Sequence, residues 1–368
     1  MLKKITSLIL AVGLFGFTVS CKAGSDTKPK EIKNVILLIG DGMGPNQIRA
    51  GELYKERKLF MQTIEQSVKV NTYSVYGDIT DSAAAATALA TGTSTKNGVV
   101  GRNTDLVDLE TIVDIAHGLG KRTGVITTEE LYGATPMGFS SHSDNRNYQD
   151  ELLITAAQSS NVNLFASYKL SSSKQYMVGY FTENGYKYVE NADEISECTE
   201  DKIIGFYDIH AQAEPMTIDP LLVSFDGLIS EALEYLAKDE DGFFLMAEGA
   251  HIDHGGHNND IEYMLRELLS FDDMVRYVVE WASKRDDTLV IVTADHETGG
   301  LEISDEAQYG ELFDYYRWTS KGHTGTDVWL FAYGDEIDFK SYSTFESEEQ
   351  IKNIDVFSIL KAYVRGEA

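Results

Sequence analysis

Four short runs of aliphatic and β-branched residues, each breaking off into a polar cluster, constrain this chain more than any other feature. Residues 34–39 (NVILLI) lead into Gly40-Asp41-Gly42-Met43-Gly44, and 123–128 (TGVITT) lead into a loop holding Thr135, His142 and Arg146. Residues 243–246 lead to Glu248, Asp253 and His257, and 288–293 (TLVIVT) lead to Asp295 and His296. A strand with one wet face alternates apolar and polar residues, so uninterrupted apolar runs suit strands buried on both faces of a parallel sheet. Helical patterns lie between them, at 106–117, 222–237 and 259–283. Strands alternating with helices predict an α/β fold: a doubly wound, largely parallel central sheet with helices on both faces. The ligand site of such a sheet lies at the carboxyl ends of its strands. All the polar clusters then fall on one edge.

The first twenty residues stand apart. Lys3 and Lys4 precede an apolar run over 8–19 that stops at Ser20 and Cys21. The run is shorter than the roughly 20 residues a spanning helix needs, and a small residue directly before cysteine resembles the bacterial lipoprotein cleavage box. The box departs from its usual form in having Thr18 where leucine is common; a plain secretory signal cut nearby is the alternative. The expected organisation is therefore a signal peptide over 1–20, a polar tether over 21–31 and one domain over 32–368. That domain carries a small, less regular insertion at about 159–220, expected to cover one side of the sheet. The protein is expected to be exported to the periplasm or cell surface and attached to a membrane through a lipidated Cys21. With Cys198 the only other cysteine, no disulfide framework holds the fold. Lysine and arginine number 31 against 59 acidic residues, a net charge of −28, which excludes nucleic-acid binding by global charge.

Aspartate and histidine crowd the predicted strand ends. Carboxylate oxygens and imidazole nitrogens are what zinc takes when cysteine is absent. Asp253 and His257 are four apart, close enough on one turn to grip a single ion; Asp295 and His296 follow a strand directly, where adjacent side chains diverge. Singly, an Asp-His pair at a strand end is ordinarily a cap or a hydrogen-bonded pair. The clustering is what counts: His142, His251, His254, His257, His296 and His323, six of the 8 histidines, lie in these segments. A second feature is Thr80-Asp81-Ser82-Ala83-Ala84-Ala85-Ala86. Its alanines read as a tightly packed core helix, while Asp81 and Ser82 sit at the helix start, where free N–H groups favour anions such as phosphate. A serine needs activation to be nucleophilic. No Ser-His-Asp arrangement is legible nearby, and coordination to a divalent metal would supply it.

Taken together, Asp41-Gly42-Met43-Gly44, Asp81-Ser82-Ala83, Ala134-Thr135-Pro136, Arg146, Glu248-Gly249-Ala250 with Asp253 and His257, Thr293-Ala294-Asp295-His296 and His323-Thr324-Gly325 resemble the bacterial alkaline phosphatases. The resemblance is collinear over about 34–334. It implies hydrolysis of small phosphate monoesters through a phosphoserine on Ser82. It also implies one zinc held by Asp253, His257 and His323, a second held by Asp41, Asp295 and His296, and a magnesium held by Asp41, Thr135 and Glu248. Arg146 would grip two phosphoryl oxygens, oriented by Asp81. Two zinc ions about 4 Å apart suit the attacking and leaving oxygens of an in-line displacement.

Two departures stand out. Gly133 occupies a position, two before the magnesium-binding threonine, where relatives carry Asp or His; losing such a side chain predicts weaker magnesium binding. His254 falls where relatives have Lys, Trp or His, and either touches phosphate through water or packs at the rim. The resemblance leaves a homodimer open. Alternatives are a phosphodiesterase or sulfatase of the same superfamily, and a non-catalytic metal-binding lipoprotein, which would have no use for Ser82 or Arg146.

Overall fold

Three of the four apolar runs become strands in which every residue is buried. They are β1 (Asn34–Gly40), β7 (Phe243–Gly249) and β8 (Thr288–Thr293), and the fourth run lies in β3 (Arg122–Glu130). The computed structural model describes residues 31–210, 223–345 and 350–368. The signal, Cys21 and the tether up to Lys30 lie outside the described residues. So does the end of the 159–220 stretch, from 211 on. With β2 (Gln66–Asn71), β4 (Leu164–Tyr168), β5 (Lys187–Tyr188), β6 (Ile203–Tyr207), β9 (Val328–Tyr333) and β10 (Gln350–Lys352) they form one sheet in the order β10-β2-β9-β8-β1-β7-β3-β4-β6-β5. Of these ten strands only β9 runs against its neighbours, β8 and β2; all other pairings are parallel.

The sheet is covered on both sides, as continuous burial requires. Consecutive residues of a strand point to opposite faces. Phe244 stacks on Phe139 of the Ala134–Ser140 helix, centroids 6.5 Å apart, while Phe243 meets Trp281 of the Ile261–Ala282 helix at 6.0 Å. Residues 31–368 make up one compact unit.

The 159–220 stretch differs from expectation. Its described part supplies β4, β5 and β6 and extends the sheet at one edge, and it also covers the sheet there with the Met177–Glu183 helix, whose Phe181 meets Phe165 of β4 at 5.7 Å. β6 is buried throughout. The 106–117 pattern shrinks to a helix over Ile112–Gly118, because Thr111 and Asp114 form a capping box at its start and Leu106 takes a left-handed conformation, φ 62°. The other two helical patterns appear as Phe225–Leu236 and Ile261–Ala282.

Candidate active site

Each polar cluster sits at the carboxyl end of its strand, and the sheet brings them together. Asp41 follows β1, Glu248 is the penultimate residue of β7, and Asp253 and His257 lie one turn apart on the His251–Asn258 helix that follows. Asp295 and His296 follow β8. Thr135 lies in the first turn of the Ala134–Ser140 helix, which β3 feeds. His323 arrives on a small ribbon, Glu297–Thr298 paired with His323–Thr324. The turn after β1 needs Gly42: its φ is 74°, and a Cβ there would lie 2.7 Å from the Asp253 backbone. Its N–H donates to Asp295 Oδ1 at 3.1 Å, tying the β1 and β8 loops together.

Two ligand groups result, Asp253/His257/His323 and Asp41/Asp295/His296, in each of which the donor atoms lie within 4.8 Å of one another. In the first, His257 Nε2 is 3.3 Å from Asp253 Oδ2 and 3.3 Å from His323 Nε2. In the second, His296 Nε2 is 2.9 Å from Asp295 Oδ2 and 3.7 Å from Asp41 Oδ1. The outer nitrogens are anchored. His257 Nδ1–H donates to the Lys321 carbonyl at 2.5 Å and His323 Nδ1–H to that of Thr80 at 2.8 Å. His296 Nδ1 is 3.2 Å from the Thr298 hydroxyl, which itself donates to Asp253 Oδ1 at 2.5 Å. A carbonyl can only accept, so the two rings so bound are protonated on Nδ1 and leave Nε2 as the nitrogen available to a metal. A hydroxyl already donating to a carboxylate sets His296 the same way. This is how metal-binding imidazoles are held.

A third set of atoms is notable for lacking partners. Asp41 Oδ1, Thr135 Oγ1 and Glu248 Oε1 are buried without a hydrogen bond among the described residues. Buried polar atoms are ordinarily paired, and three stranded oxygens fit a hard cation. Electrostatics point the same way. Burial, with Asp295, Asp253 and Glu248 nearby, pushes Asp41 well above the usual carboxylate range. Burial carries Glu248 up to about 7 despite the hydroxyl of Thr127 on Oε2. Asp295 differs: burial pushes it up, but His296 beside it, with His323 and the Gly42 N–H, together hold its carboxyl low. Positive charge is what the cluster lacks, and these residues fit divalent metal ions.

Ser82 opens a helix, Ser82–Thr91, buried along its whole length. Its Oγ is 3.3 Å from His296 Nε2, against the second ligand group. Asp81 caps the helix: Oδ1 accepts the Ala84 N–H at 3.0 Å, and Oδ2 accepts the Gly98 N–H at 3.0 Å and Arg146 Nη1 at 3.3 Å. A family model described as alkaline phosphatase matches residues 32–179 and 172–314. The chain belongs to the alkaline phosphatase family. It is 32% identical to alkaline phosphatase 3 of Bacillus subtilis (strain 168) over 296 residues, 76% of this chain and 64% of that one. It is 28% identical to the alkaline phosphatase of Escherichia coli (strain K12), over 83% of this chain and 82% of that one. This chain thus spans just under two thirds of the Bacillus protein. The solved alkaline phosphatase of the Antarctic bacterium TAB5 superposes with a TM-score of 0.78 at 29% identity, covering 91% of this chain and 98% of the other. A histidine-to-aspartate variant of that enzyme has magnesium bound in its M3 site.

Not every residue singled out in the sequence joins an alkaline phosphatase site of this kind. His142 binds the Leu109 carbonyl at 2.9 Å, away from both ligand groups. His254 is exposed and lies against His251, ring centroids 4.8 Å apart. Conversely, Thr127 and Thr298 hold the carboxylates of Glu248 and Asp253, and no sequence motif marks either threonine. Thr298 shares a face with His296, two residues before it. Thr127 is legible only through register, standing opposite Glu248 across the β3–β7 pair.

Proposed function

We propose that the chain is an exported, metal-dependent phosphomonoesterase that works through a phosphoserine on Ser82. The observation that carries this reading is the position of Ser82 Oγ, at a helix N-terminus, 3.3 Å from His296 Nε2, with Arg146 held beside it by Asp81. Asp253, His257 and His323 would hold one zinc, and Asp41, Asp295 and His296 the other. Asp41, Thr135 and Glu248 would hold magnesium. Bound there, the ions supply Lewis acidity for the attacking and leaving oxygens. The chain's own residues do the rest. Arg146 binds two phosphoryl oxygens and Asp81 fixes its plane. Backbone N–H groups of the first helical turn add positive potential. Ser82 Oγ loses its proton to solvent and attacks phosphorus opposite the alcohol, the P–O bond to the alcohol breaks and the leaving alkoxide takes a proton from water, and water later attacks phosphorus, breaking the Oγ–P bond to release phosphate and restore the serine hydroxyl.

Small phosphate monoesters fit a protein whose net charge of −28 disfavours polyanions. Among the described residues no helix is long and apolar enough to cross a membrane, and attachment through a lipidated Cys21 rests on the sequence of the signal alone. Turnover of an aryl phosphate, a bis-aryl phosphate and an aryl sulfate separates the readings: the first should dominate. Acid quench during turnover should trap phosphate on the Ser82 peptide, and Ser82→Ala should lose at least about 1,000-fold in kcat. Full activity in that variant, or in chelated protein, would sink the proposal.

A further inference from the structure

The glycine at position 133 suggests a weakened magnesium site, but the space it leaves is filled. A Cβ built on Gly133 would lie 1.8 Å from Glu129 Oε1 and 2.5 Å from Glu129 Cδ. The Glu129 carboxyl group therefore occupies the room where a side chain at 133 would stand. The residue as a whole is only partly buried, yet its charged end is desolvated, and the charge that bears on it most is Glu248, followed by Arg146. Glu129 is in turn felt by Asp41 and by Arg146. It thus belongs to the same cluster as the three stranded oxygens of Asp41, Thr135 and Glu248.

The backbone explains how a residue near the end of β3 gets there. Between Ile126 and Glu130 the β3–β4 register slips, β3 advancing four residues while β4 advances two, Ala166 to Tyr168. Irregularities of this kind re-aim side chains beside functional sites. Thr127 holds Glu248 Oε2 at 2.5 Å, and Glu129 lies two positions further along the same strand.

We propose that Glu129 is an additional acidic group of the third metal site, binding magnesium or its waters from strand β3 in place of a side chain at position 133. The inference rests on the magnesium reading of Asp41, Thr135 and Glu248. Its chemistry is that of a hard dication taking oxygen ligands. A larger residue at 133 would have to displace that carboxyl group from where it stands.

The test is magnesium titration of zinc-loaded protein by calorimetry, with metal content measured in parallel. Wild type should take up one magnesium beyond two zinc ions. Glu129→Gln, which keeps the shape, should weaken magnesium binding about 10- to 100-fold while zinc content stays unchanged and the melting temperature without magnesium does not fall. Glu129→Ala should weaken it as well, and adding Gly133→Asp to that variant should bring the affinity back to within about tenfold of wild type, by restoring a carboxylate from the other side. Magnesium affinity in Glu129→Gln within twofold of wild type would overturn the proposal while leaving the third site standing. So would an equal loss of zinc, which would make Glu129 a general support. Wild-type protein that binds no third ion would overturn both the proposal and the magnesium reading beneath it.

Discussion

Asp81 divides one carboxylate between a helix end and Arg146. Oδ1 satisfies the Ala84 N–H at the start of the Ser82–Thr91 helix, and Oδ2 faces Gly98 N–H and Arg146. The two duties come apart by substitution. Asp81→Ala removes both and should cost about 1–2 kcal/mol in a denaturant melt. Asp81→Asn can still cap the helix, but it turns an amide NH2 toward Arg146 and the Gly98 N–H. Its KM for an aryl phosphate should rise about tenfold, in line with the roughly 1.5 kcal/mol of a charge-assisted hydrogen bond. A KM unchanged in Asp81→Asn would show that Arg146 needs no help from Asp81. At the same scale, Thr298 joins two ligand groups through one hydroxyl, on Asp253 and His296.

The Ser82–Thr91 and Ala134–Ser140 helices pack closely because their sequences remove side chains at the contact. A Cβ on Gly138 would lie 2.6 Å from Ala86 Cβ, so the alanine run is what lets the helix carrying Ser82 approach the helix carrying Thr135. Gly138→Val should destabilise by about 1–3 kcal/mol through overpacking. It should also lower kcat, since relief of the clash moves Ser82 against the ligand groups. Paired thermal melts and kinetics check both, and a variant that melts lower with kcat intact would separate the packing from the site. The alanine composition was readable in the sequence. The partner helix was not, because residues 86 and 138 meet only once the chain has folded.

Across the whole molecule, the metals offset a buried acidic cluster, so removing them should invert the ordinary pH response. Burial lifts Glu248 from 4.5 to about 7 and raises Asp41 as well. A carboxyl whose pKa rises on folding withholds stability above that value and returns it as pH falls through it. Chelated protein should therefore melt higher at pH 6.5 than at pH 8. His323, which burial and the charge of His296 hold below the ordinary imidazole value, opposes the trend as pH falls toward and through that ordinary value. Zinc and magnesium restored at pH 8 should raise the melting temperature sharply. A chelated protein that melts lower at pH 6.5 than at pH 8 would contradict this account of the cluster.

What the sequence determined by itself is local. Asp41 follows an apolar run, Asp253 and His257 are four residues apart, Asp295 and His296 follow a strand directly, and Asp81-Ser82 opens a helix; each pattern is complete within a few residues. A doubly wound sheet then places such clusters on one edge, and the resemblance to alkaline phosphatases was legible on the same motifs. Only the tertiary structure decided the rest. The 159–210 segment extends the sheet as β4, β5 and β6 as well as covering part of it, because short strands show little period until they pair. His142 leaves the site for the Leu109 carbonyl although it shares a loop with Arg146. Thr127 reaches Glu248 across 121 residues of chain. Glu129 fills the space at Gly133 because of a register slip in β3. These depend on which strands pair and in what register, and that is settled by burial of the sheet as a whole.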